Sequence, residues 1–582
     1  MKQARPGLLH VVLLFIAMTT LLTAGCGGGG GGGAAAPSGT ASIHIMDAPN
    51  LNYDHVWITV TEAWFHKLDT DDLTDTGWIK FPLSTPKTID LASLAAGQTQ
   101  EVWSGLKLPA GQYGQIRVFL APTEGPAKAP LPSGVTFNNE VDYTDSTGPH
   151  KAPLRIPSPS QGIKILPETP IIVTGGDLKL ALDFNVGEDV VEVFRQGQMS
   201  SAQNLAAVPT RVKAFILKAR LRYFDMNSAG ALSGTLVPPA VAFGSASSAF
   251  RNISGAFTNM SSSFRSAFKN YTGKNFTIKA EQINPVTSLR QARRSTTVDS
   301  SGRFTLYPLP VFGTASTATY DLVIRGRNVE TIIINGVKVR KGSTPDKSTI
   351  ISNRPIRLTT GGEYTVNVNA KPAGTAVTFY QTLPTDPVPY EIRFRHVDPF
   401  SATGSFSTPI ELSSGTLQVG TFNNGGAIAL NPVTPNEGQG TFFAIATAEL
   451  FNPSPRTDVS SLTPLIAFSP LTISAPATAR TISGKVSVKD AGLNQGIMLI
   501  THGGALVDTL DLSDKVKVGD NPYTTGVLPG GTSAAPLSGA LYDLFVLGWS
   551  AAQPDQTTET GTAAGVNLKT GDGTADISLA KP

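Results

Sequence analysis

From Ala41 to the C-terminus the chain is built of short runs in which apolar and polar residues alternate, each run closed by glycine, proline, asparagine or aspartate. Ile43 and Ile45 alternate with polar neighbours, and Val56, Ile58 and Val60 do the same after the turn "DAPN". A period of two puts successive side chains on opposite faces of an extended strand, so these runs predict half-buried β-strands. The 58 glycines and 42 prolines among 582 residues supply the turns such strands need. A length of 582 residues is too great for one core and predicts about four domains of roughly 100–200 residues. The fold class read from this pattern is mainly β: tandem β-sandwiches of immunoglobulin-like or prealbumin-like type.

One stretch breaks the period. Phe243, Phe250, Phe257 and Phe264 recur every seven residues, and Ala246, Ile253, Met260 and Ala267 follow each by three. That spacing predicts a single inserted amphipathic helix over about 240–271. Its serines and Gly255 are weak helix formers, so it needs a partner surface. The Phe stripe can pack on an adjacent sandwich, join a second chain, or rest on a membrane surface.

The N-terminus is of another kind. Lys2 and Arg5 precede an apolar stretch from Leu8 to Leu22, and small residues lead to Cys26, the single cysteine. This is the layout of a signal peptide over residues 1–25. "TAGC" resembles the bacterial lipoprotein lipobox, which implies lipidation at Cys26 and cleavage just before it. Thr23 departs from the leucine usual there. An ordinary cleavage site with a bystander cysteine is the other reading. Gly27 is not aspartate, which by the same resemblance implies the outer membrane and a partner in the membrane itself through the lipid anchor. Residues 26–39 are glycine-rich and read as a disordered tether. A lone cysteine excludes an intrachain disulfide and cysteine-based metal clusters.

Within residues 40–217, "SIHIMDAP", "YDHVWITVTEAW", "KTIDLASL", "LPAGQYGQIRVFL", "QGIKI" and "LALDFNV" resemble, in order, the bacterial domain of unknown function 4382. The resemblance implies an exported β-sandwich and adds no mechanism. Over 231–370, "DSSGRFTLYPLP" and "TYDLVIRG" resemble the transthyretin-like, carboxypeptidase regulatory-type sandwich, with the 240–271 helix as an insertion. "TISGKVSVKD" and "LYDLFVLGW" echo its motifs, which predicts a second copy over 480–582. Residues 371–479 read as a further sandwich.

Catalytic patterns are lacking: there is no G-x-S-x-G, no P-loop and no H-E-x-x-H. A non-enzymatic protein without cofactor is the expectation. A net charge of +3 with 15% charged residues excludes the basic face of a nucleic-acid binder. The leading expectation is a lipid-anchored envelope protein that binds or scaffolds through sandwich loops, with an envelope protein or a glycan as partner. Carbohydrate or matrix recognition would use Trp57, Trp64 or Trp549 for stacking. Assembly of chains through the Phe stripe is the alternative.

Two metal readings attach to the first sandwich. Asp69, Asp71, Asp72 and Asp75 crowd one loop, and oxygen-rich loops suit calcium, although the EF-hand order is absent. A solvated hairpin tip is the plainer reading. His44, His55 and His66 are evenly spaced, which a zinc site could use, but exposed strand histidines explain them as well.

Overall fold

A computed structural model describes residues 38–195, 212–237 and 277–581, with interruptions inside these ranges of which 48–52, 399–403, 411–416, 434–441, 460–464 and 551–557 are the longest. The chain is mainly β, and four separate apolar cores lie between its sheets. The described residues include one helical turn, Val186–Asp189, and a few 3-10 turns. The helix expected over 240–271, with Phe243, Phe250, Phe257 and Phe264, lies outside the described residues, as does Cys26.

In the first module, Ser38–Asp47 runs parallel to Asp177–Phe184 and antiparallel to Gln100–Pro109. A second, larger sheet is organised around His55–His66, which pairs with Ile79–Asp90, Gln115–Leu120 and Glu140–Asp145. Ala41, Ile43 and Ile45 face Val56, Ile58 and Val60 across one core. A bulge between Val60 and Glu62 inserts one residue, which switches the buried set from even to odd positions. Ala63 and Phe65 therefore point inward, and Trp64 points out. Ser38 and Gly39, assigned to the tether by composition, pair with Pro109 and Leu108 and begin the first strand. The module also takes in Arg222–Asp225, beyond residue 217, as an edge strand on Asp177–Phe184.

The second and fourth modules share one topology. In the second, a sheet runs Arg290–Thr296, Thr277–Ile283, Thr317–Gly326, Val329–Arg340; in the fourth, Ala505–Asp511, Gln495–His502, Leu541–Trp549, Thr558–Asn567. The facing sheets centre on Ala229–Val237 and Ile482–Val488. Their echoing motifs do the same work in each. Tyr320 donates its hydroxyl to Pro310 O at 2.5 Å, and Tyr542 donates to Pro529 O at 2.6 Å.

The third module forms its core from Tyr364–Asn369, Ala376–Leu383, Asp386–His396 and Phe442–Thr447. Tyr364–Asn369 thus belongs here and not with residues 231–363, because it pairs with Ser405–Ile410. Leu417–Thr421 leaves its neighbours in sequence and extends the second module's sheet in parallel with Val329–Arg340. The described residues form a single compact unit. No helix among the described residues is long and apolar enough to cross a membrane.

Candidate binding cavity

Trp64 lies on the outward face of its strand, but its ring is already in use. Its indole N–H donates to Glu62 Oε2 at 2.7 Å, Phe119 packs 4.4 Å away, and the Lys80 ammonium sits 3.7 Å over the ring. A sugar would have to displace Lys80 to stack there. Trp57 is half-buried and stacks on His55 at 5.4 Å. Trp549 is 7% exposed and packs with Ile216, Leu499, Leu506 and Leu547 in the seam between the first and fourth modules. The three rings therefore do not share a site.

The aspartate-rich loop folds back over the strand His55–His66. Asp72 accepts from Thr74 N–H and its hydroxyl, which hold its carboxyl below the usual range. Asp75 accepts from Gly77 N–H at 2.7 Å, and Asp69 pairs with Lys164 at 2.7 Å. Asp71 lies outside the described residues. The described carboxylates are spent on turns and on contacts with Lys164 and His66. Among the described residues, no group of three histidine, cysteine, aspartate or glutamate side chains is placed to hold a metal ion. His66 is not the exposed strand residue the alternation implies: the loop buries it against Trp78, and Leu68 N–H donates to its Nδ1. His55 pairs with Asp90 at 2.7 Å. His44 is half-buried, and that burial lowers its pKa against the opposing pull of Glu101.

The buried charges lie between modules. Arg294 joins Asp183 and donates to Asp47 O at 2.7 Å, which ties the second module to the first. Burial, with Asp183 and Asp189 near, raises the Asp47 carboxyl well above the ordinary range despite a hydrogen bond from Val186 N–H. Lys279 meets Glu391 of the third module at 2.7 Å and Glu188 of the first at 3.9 Å. Burial opposes the Lys279 charge, but Glu391 and Glu188 outweigh it and hold its pKa up; the Lys279 charge in turn holds Glu391 low against the same burial. Glu281 accepts from Glu391 N–H, and burial followed by the Glu391 charge pushes its pKa up to about 8. In the third and fourth modules Ala373 N–H donates to Asp508 and Gly374 N–H to Val507 O, each at 3.0 Å.

All four modules meet around one cavity of about 880 Å³. Leu166 and Ile172 line it from the first module, Arg293 and Phe312 from the second, His396 from the third and Leu506 from the fourth. That volume falls in the range of about 300–1,000 Å³ common to small-molecule sites, which favour domain junctions. Leu166, Ile172 and Phe312 are 51%, 60% and 49% exposed, although such side chains are normally covered when they cluster. Lys218, at the end of the strand Val212–Leu217, reaches into the same wall. Its ammonium donates to Val397 O at 2.7 Å and Ala373 O at 3.1 Å. Burial lowers its pKa to about 7, only partly countered by Asp398.

No sequence motif marks this cavity, because its walls come from segments far apart in the chain. The one local signal is "RQARR", Arg290 to Arg294, an unusually basic strand for a sheet interior. Its three arginines go to three places: Arg290 to the third module, Arg293 to the cavity and Arg294 to the first module.

Residues 38–201 match the family described as Domain of unknown function (DUF4382). No curated protein matches the chain. Among solved structures, the chain is similar to two B repeat units of the collagen binding protein of Staphylococcus aureus, at 8% identity, covering 94% of this chain and 100% of that one, with a TM-score of 0.12. It is also similar to a variant of the major pilin of Streptococcus pyogenes, at 11% identity, covering 38% of this chain and 99% of that one, again with a TM-score of 0.12. At that TM-score neither alignment constrains the architecture or role of this chain.

Proposed function

We propose that this chain is a non-catalytic, lipid-anchored envelope protein whose four β-modules are fixed against one another to form a binding cavity at their junction. The observation that carries this reading is the cavity itself: four modules contribute walls, and Leu166, Ile172 and Phe312 stay exposed on it. The buried ionisable groups support the non-catalytic part. Arg290, Arg294 and Lys279 are each engaged by carboxylates across module seams, where they hold geometry. Anchoring at Cys26 rests on the lipobox resemblance and the glycine run that follows it.

The test is saturable binding of a neutral apolar fluorophore, 1-N-phenylnaphthylamine, to the full chain carrying Cys26→Ser. One site per chain is expected, with at least tenfold weaker binding in the double variant Ile172→Glu, Phe312→Glu. Both positions are about half exposed, so the fold should tolerate the change. Absence of binding, or binding indifferent to the double variant, would sink the cavity reading.

A further inference from the structure

We propose that the junction cavity takes a single-chain anionic amphiphile of the fatty-acid class, its hydrocarbon along Leu166, Ile172 and Phe312 and its head group at Lys218 and Arg293. This rests on the reading of the cavity as a binding site and adds the chemistry of what it binds.

The apolar part follows from exposure. Leu166, Ile172 and Phe312 converge on one concave surface, and behind them Leu180, Leu221 and Phe224 continue the apolar wall at 0%, 7% and 4% exposure. A hydrocarbon chain laid along that wall removes apolar surface from water, which is favourable in proportion to the area covered. A sugar or a nucleotide would leave it exposed.

The sign of the head group follows from charge accounting. The lining holds Lys164, Lys218, Arg222 and Arg293 against Asp225 and Glu449. Glu449 is engaged by His502 at 3.2 Å, and Asp225 accepts from Asn227 N–H in its own turn. Lys164 is matched by Asp69. Lys218 donates, among the described residues, to the neutral carbonyls of Ala373 and Val397, and the Asp398 carboxylate offsets its buried charge only in part. An ammonium has three protons to donate, so two bonds leave one for an anion. Such a charge-assisted bond, made out of water, is about twice as strong as a neutral one. Arg293 brings a second cation beside the apolar side, its guanidinium 5.8 Å from the centre of the Phe312 ring. One apolar side and two cations match one chain with one anionic head.

The experiment measures displacement of 1-N-phenylnaphthylamine from the full chain carrying Cys26→Ser, which cannot be acylated at that position. Palmitate and hexadecanol are the competitors, alike in chain length and different in charge. Palmitate is expected to displace the fluorophore at least tenfold more tightly than hexadecanol. Lys218→Met should remove most of that preference, read as the ratio of the two competitors' displacement constants on the same variant, and Lys218→Arg should keep more of it. Equal displacement by the two competitors would overturn the anionic class and leave the cavity reading standing. Tight displacement by an acidic peptide but not by palmitate would overturn the amphiphile. Fluorophore binding that fails altogether would overturn both readings.

Discussion

Asp321 and Asp543 occupy the same place in the second and fourth modules, and each accepts the backbone N–H of a glycine in the hairpin that follows. Gly336 donates to Asp321 at 3.0 Å and Gly565 to Asp543 at 2.8 Å. Both glycines have positive φ, 75° and 67°, which side-chain-bearing residues rarely adopt. The other carboxylate contacts have diverged. Asp321 takes Arg290 at 2.8 Å, and Arg290 reaches on to Asp386 of the third module at 2.6 Å, stacked on Tyr390. Asp543 takes Ser158, Ser160 and Gln161 of the first module directly. One motif thus anchors two different module seams.

Asp543→Ala should loosen the seam between the first and fourth modules. It strips the acceptor from Ser158, Ser160, Gln161 and Gly565 in a place where Asp543 itself is 4% exposed. Donors buried without an acceptor cost about 1–3 kcal/mol each, and relaxation recovers part of that, so a net loss of about 3 kcal/mol is expected. Asp543→Asn keeps one carbonyl oxygen and should lose roughly half as much. Urea midpoints followed by far-ultraviolet circular dichroism measure this. A loss below about 1 kcal/mol for the alanine variant would mean the seam does not depend on the carboxylate.

Cys26→Ser should abolish incorporation of radiolabelled palmitate in a bacterial host and release the protein from the membrane fraction. Several acyl chains, at about 0.8 kcal/mol per buried methylene, hold a protein at a bilayer, whereas the glycine run after Cys26 has no apolar surface to do so. Label that persists on the serine variant would place the lipid elsewhere.

What was legible in the sequence was local. Alternation located the strands of the first core, since Ile43, Ile45, Val56, Ile58 and Val60 all face inward. The paired "YDL" motifs named two strands with one role, because Tyr320 and Tyr542 make the same bond within their own sandwiches. Neither periodicity nor motif says which sheet a strand will join. Leu417–Thr421 reads like a strand of the third sandwich, yet it extends the second. The bulge at Val60 and Glu62 is also silent in the pattern, and it decides that Trp64 faces outward and that His66 falls under the loop closed by Trp78. The cavity was least legible, because Ile172, Lys218 and Phe312 come together only through contacts between modules.

Glu281→Gln should flatten the pH dependence of stability on the acid side. The folded protein holds the Glu281 proton to about pH 8, against an ordinary value of 4.5. Between those values the folded state binds more protons than the unfolded one, so stability present below pH 4.5 is lost as pH rises through 8. The loss reaches on the order of 5 kcal/mol. Glutamine carries no proton to lose, so the variant should gain on the wild type steadily from about pH 5 to pH 8 and level off above that. Urea midpoints that differ by a constant amount across that range would show that Glu281 is not the titrating group.

Lys218→Met should act in the opposite sense and at higher pH. Burial depresses the ammonium from 10.5 to about 7, so the unfolded chain binds more protons across that window. The stability Lys218 contributes is therefore full above pH 10.5 and lost as pH falls through 7. Methionine fills a similar volume, carries no charge, and leaves Ala373 O and Val397 O without their donor. The two lost bonds cost about 1–3 kcal/mol at any pH, while removal of the buried charge returns a comparable amount below pH 7. The variant is expected to match the wild type within about 1 kcal/mol at pH 6 and to fall behind it by pH 9. Urea midpoints at the two pH values measure the difference. A gap that is the same at both would mean the Lys218 ammonium keeps its charge throughout, held by an anionic partner closer than Asp398.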